Sequence, residues 1–150
     1  STWSRRNPLT IVPMPEAGSD FYARALHADW GGEWNYSREL KSVEPVPIRV
    51  GWVRAILKGQ QRVARGLAID APVFVATSAA SWFGRRFSLK ARETDIVLDV
   101  SRITAMTWRL GRRVTTVRVQ GGVHDLFLSR RAVREDLFEQ LGLWLDAYVR

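Results

Sequence analysis

Apolar and polar positions alternate in two ways along this chain, and the change of period divides it into helices and strands. Across residues 49–65, Val53, Ile56, Leu57, Gln60 and Ala64 share one helical face. Arg54, Lys58, Arg62 and Arg65 follow on another face, and Gly66 stands where a C-cap is expected. The basic stripe could touch phosphates, but such stripes are mostly solvated faces. A long helix is expected over residues 132–149, capped by Ser129. Its inward stripe is Val133, Leu137, Leu141, Trp144, Leu145 and Tyr148, which reads as core and not as a cofactor-binding face.

Between these helices the period shortens. Residues 73–77 are a continuous apolar run behind Pro72, as in a strand covered on both faces. Residues 113–119 are rich in Val and Thr and read as a second strand. Asp99 or Ser101 can cap a helix running to Leu110, with Val100, Ile103, Thr107 and Leu110 inward and Gly111 ending it. Residues 79–93 read as a loop. Upstream, Pro8, Pro13 and Pro15 make residues 1–20 irregular. A short helix is expected over residues 20–28, followed by an aromatic-dense loop over 31–36 and a break at Pro45 and Pro47. The order strand, helix, strand, helix predicts a parallel pair with a right-handed crossover. Two parallel strands rarely stand alone, since parallel sheets are covered on both faces and belong to larger assemblies.

Composition narrows the chemistry. The chain has 150 residues, 46% of them hydrophobic, with seven Trp, so it can bury a core. It has no Cys, which excludes disulfides, thiolate zinc sites and Cys nucleophiles. With only two His, a multi-His metal site is excluded as well. No apolar run reaches the ~18 residues that span a bilayer. The first residues lack both Met and an apolar signal core, so the expectation is a soluble cytoplasmic piece of a longer chain. A net charge of +8 permits nucleic acid or anionic lipid as partners, but no binding motif accompanies it.

The segment Gly121-Gly122-Val123-His124-Asp125 carries the sharpest chemistry. A His at a strand end, preceded by glycines, sits where general bases sit in parallel-sheet enzymes. Asp95 follows the first strand as His124 follows the second, which matches the last two members of a Ser…Asp…His order. Asp99 is the rival acid, but it has a structural task as a helix cap. Asp125 is expected to cap or orient the loop, and His27 to be structural. Phe21, Tyr22, Trp30, Trp34 and Tyr36 either line an apolar pocket or pack as core. No Gly-x-Ser-x-Gly occurs anywhere.

The runs Pro72–Ser78, Thr94–Asp99 and Gly121–Asp125, in that succession, resemble the C-terminal third of an α/β-hydrolase. The similar families are lysophospholipases, monoacylglycerol lipases and serine aminopeptidases. The resemblance covers residues 66–149. It implies a partial α/β-hydrolase fold: a lid or cap over residues 1–65, then a C-terminal β-α-β-α subdomain over 66–150 holding the last two strands. It further implies Asp95 as triad acid and His124 as base, an acyl ester substrate, and no cofactor or metal. The nucleophile and oxyanion hole would belong to a missing N-terminal half, the implied partner of the strand edge that is otherwise open to self-association. This chain alone would be inactive. The other readings are a non-catalytic basic module on an anionic partner, and another activity on the same fold, such as a peptidase, thioesterase or dehalogenase.

Overall fold

A computed structural model describes residues 20–37, 39 and 47–148. The expectations placed on residues 1–19, on Pro45 and on Val149 lie outside the described residues. The elements are α1 (Phe21–Leu26), α2 (Val50–Ala64), β1 (Val73–Ser78), α3 (Val100–Thr104), β2 (Val114–Val119) and α4 (Arg131–Tyr148), with short 3₁₀ turns between them. β1 and β2 pair in parallel, Val73 opposite Val114 and Ser78 opposite Val119. The architecture is mixed α/β around this two-stranded sheet, and no third strand joins it among the described residues.

The core sits where the sheet, α4 and the loop after β2 meet, with Val119, Val123 and Leu137 buried. Trp144 of α4 packs on Phe74 of β1, ring centroids 5.6 Å apart. The expected inward stripe of α4 thins toward its end, since Leu145 and Tyr148 are exposed with no further layer over them among the described residues. The predicted helix over 99–110 is broken. Asp99 Oδ1 caps it by accepting from Ser101 N at 3.0 Å, but α3 stops at Thr104. The Thr104 hydroxyl donates to the Val100 carbonyl, and the Thr107 hydroxyl to that of Thr104. Hydroxyls that take up carbonyls in this way compete with the helix ladder. The helix resumes only as a 3₁₀ turn at Thr107–Arg109.

α2 forms as its pattern predicts, but among the described residues its apolar face is covered only in part. Val50 is buried, whereas Ile56 is 43% and Trp52 58% exposed. Beyond its end, Gly66 adopts φ +92°, the left-handed conformation that stops helices.

The segment 20–36 is docked on the rest of the chain by groups far away in sequence. Phe21 packs against Trp82 and Phe87. Trp34 Nε1 donates to the Leu128 carbonyl at 2.6 Å. Glu33 Oε2 accepts from Arg131 N at 2.8 Å and from the Arg134 guanidinium at 3.1 Å. A carboxylate at a helix start satisfies an orphan N–H and complements the positive dipole end. The start of α4 is therefore capped by Glu33 and not by Ser129. The Ser129 hydroxyl instead accepts from Val123 N at 3.0 Å, inside the loop that follows β2.

Candidate active site

Both ends of the parallel pair lead into loops, and the two loops meet. After β1 the chain turns at Ala79 and Ala80, and Ser81 forms an isolated parallel bridge with Asp95. Asp95 N donates to the Ala80 carbonyl and Trp82 N to the Asp95 carbonyl, each at 2.9 Å. Ser81 ties this loop to the next turn, donating to the Leu98 carbonyl at 2.7 Å and accepting from Val100 N at 2.9 Å. Asp95 is only 4% exposed. Its Oδ1 accepts from Val97 N and Leu98 N, both at 2.7 Å. The acid's backbone and side chain are both fixed.

After β2 the chain turns on the Gly-Gly pair. Gly121 has φ +71°, which L side chains adopt at a cost. A Cβ on Gly122 would lie 2.7 Å from Leu126 Cδ2 and 3.1 Å from the Val119 carbonyl oxygen. One glycine supplies the turn and the other the close approach, which delivers His124 toward Asp95. His124 Nδ1 lies 3.0 Å from Asp95 Oδ2 and 3.2 Å from Oδ1. With a carboxylate as acceptor, Nδ1 carries the proton and Nε2 of the neutral ring has a free lone pair. The His124 side chain is 29% exposed, and among the described residues no group bonds Nε2. A half-exposed imidazole, oriented by a buried carboxylate and open at Nε2, can take a proton from an approaching hydroxyl or water and return it.

The sequence-predicted residues sort clearly. Asp95 and His124 are brought together, and Asp99 is at the α3 cap, away from the imidazole. Ser78 is bonded to the backbone of Ala80 and Ser81 to Leu98 and Val100, so neither hydroxyl addresses His124. His27 is buried and structural: Nδ1 accepts from Asp29 N, and Nε2 faces the Tyr36 carbonyl. Trp30 and Tyr36 stand edge-on to the His27 ring, so these aromatics pack around His27. No group of three His, Asp or Glu side chains suited to a metal occurs among the described residues.

One participant escaped the sequence. Tyr22, on α1, stands edge-on to His124 with ring centroids 6.2 Å apart. Its hydroxyl donates to Asp125 Oδ2 at 2.6 Å and accepts from Asp125 N at 3.2 Å. Burial, followed by the Asp125 carboxylate, pushes the phenol above its usual range, which favours the protonated form that donates to Asp125. Only an aromatic-rich context marked it in advance, because its partner lies 103 positions on.

The class that fold and site define is a mixed α/β protein with an oriented His–Asp pair at the carboxyl end of a parallel sheet. No family model, curated protein or solved structure matches the chain. No helix of the described residues is long and apolar enough to cross a membrane.

Proposed function

We propose that this chain is the acid- and base-bearing C-terminal part of a serine ester hydrolase of the α/β-hydrolase type, acting on carboxylic esters of the lysophospholipid or monoacylglycerol kind. The observation that carries the reading is the His124–Asp95 pair. It has a buried, backbone-bonded carboxylate, Nδ1 within 3.0 Å of it, and an open Nε2, each group following one of two adjacent parallel strands. In this role Asp95 orients the ring and stabilises its protonated form. His124 draws the proton from a serine hydroxyl and hands it to the leaving group. The serine and the oxyanion hole come from sequence outside this chain, since no Gly-x-Ser-x-Gly occurs in it. The chain by itself therefore has no turnover.

A serine-directed fluorophosphonate probe on the complete protein tests the reading. Labelling of one serine, abolished by His124→Ala in a protein that still folds, is the expected result. A folded protein that takes no label, or whose label ignores His124, would overturn it.

A further inference from the structure

The loop that presents His124 is held from outside, and the holding group lies on the segment that resembles a lid. Three contacts fix the loop. Ser129 Oγ bonds Val123 N from within. Trp34 bonds the Leu128 carbonyl at its far end. Tyr22 bonds both the backbone N–H and the carboxylate of Asp125, directly after the imidazole. Two bonds from one hydroxyl to one residue fix both the position and the rotation of that residue. The ring edge of Tyr22 against His124 limits the swing of the imidazole as well. Glycines at 121 and 122 leave the approach to His124 intrinsically pliable, so the restraint has to come from partners.

We propose that Tyr22 is a positioning residue for His124: its hydroxyl clamps Asp125, and this clamp keeps Nδ1 on Asp95 and Nε2 open. The inference rests on the hydrolase reading for its catalytic meaning, but its physical content does not. The lid-like segment is then no free flap at this end, and its first helix is the fixed base that sets the imidazole. Departure of α1 from the body would unset the base and remove the proton acceptor with it.

The chain contains only two histidines, so nitrogen-15 NMR of the imidazoles tests the proposal on the chain as it stands. His27 is the internal reference, expected as the Nε2–H tautomer because Nδ1 accepts from Asp29 N. His124 is expected as the opposite, Nδ1–H tautomer. Tyr22→Phe keeps the ring and removes the clamp. It should shift His124 toward a tautomer mixture, while the His27 signals stay fixed. Asp125→Ala should reproduce that shift, and Asp125→Asn, which still accepts from the phenol, should restore the single tautomer. Unchanged His124 signals in both Tyr22→Phe and Asp125→Ala would overturn the proposal. So would a shift in Asp125→Asn equal to that of Asp125→Ala. Neither result bears on the fluorophosphonate labelling, so failure here and failure of the hydrolase reading are distinguishable.

Discussion

The carboxylate of Asp95 takes hydrogen bonds from Val97 N, Leu98 N and His124 in a place that solvent barely reaches. Bonds to a charged acceptor are worth about 1.5–3 kcal/mol each, and the donors are left unsatisfied when it goes. This separates Asp95 from Asp99, whose contribution is an ordinary helix cap. Asp95 and His124 were legible in the sequence because each follows a β-rich run and because Gly121-Gly122 marks a tight turn. Tyr22 was not legible in its role, since nothing local ties a residue of the first helix to position 125. Its phenol yields a pH prediction. The folded state holds that proton above the usual phenol value of about 10, and the unfolded chain releases it there. Stability is thus fully present below pH ~10 and falls as pH rises beyond it, by at most about 1.4 kcal/mol per pH unit from this group. Urea titrations across that window should show a shallower decline for Tyr22→Phe than for the wild type. Parallel declines would contradict the burial of the hydroxyl.

Helices and strands followed their patterns wherever local forces sufficed. α2, β1, β2 and α4 lie close to their predicted positions, because hydrophobic period and β-branched composition act within one element. Three outcomes departed from those patterns, the first through local side chains and the other two through neighbours outside the element. α3 stops early under the competing hydroxyls of Thr104 and Thr107. α4 takes its cap from Glu33, 98 positions upstream. The apolar face of α2 stays largely exposed among the described residues, because covering it is a matter of the neighbours an element has. α4 allows a contrast within one helix. Leu137 is 1% exposed and Leu143 60%. Leu137→Ala should cost about 2–5 kcal/mol through lost transfer energy and a cavity, and Leu143→Ala no more than about 0.5 kcal/mol. Chemical denaturation of the two variants checks this, and equal losses would contradict the placement of the core under α4.

At the scale of the whole molecule, the sheet has only β1 and β2 among the described residues, and β1 carries no strand on its other edge there. Phe127 and Phe138 stack on each other in the open, with Leu143 and Trp52 also exposed. An unpaired parallel edge and uncovered apolar surface each invite association. Light scattering over a concentration series should show dimers or larger species of the isolated chain, and a monomer at all concentrations would count against an open edge. The general type, mixed α/β with a parallel pair, was legible from strand–helix–strand order. How much sheet belongs beside it was not, because composition and period describe the segments present and not their neighbours. The claim on which the rest depends is that Asp95 and His124 work as one unit. On the hydrolase proposal, ester turnover of the complete protein carrying Asp95→Asn, His124→Ala and both together measures this most directly. Each single change should lower kcat by about 10⁴-fold or more, with the double variant little worse than the worse single one, while Asp99→Asn, which still caps α3, stays near wild type. Near-normal turnover in Asp95→Asn, or losses that multiply in the double variant, would contradict it.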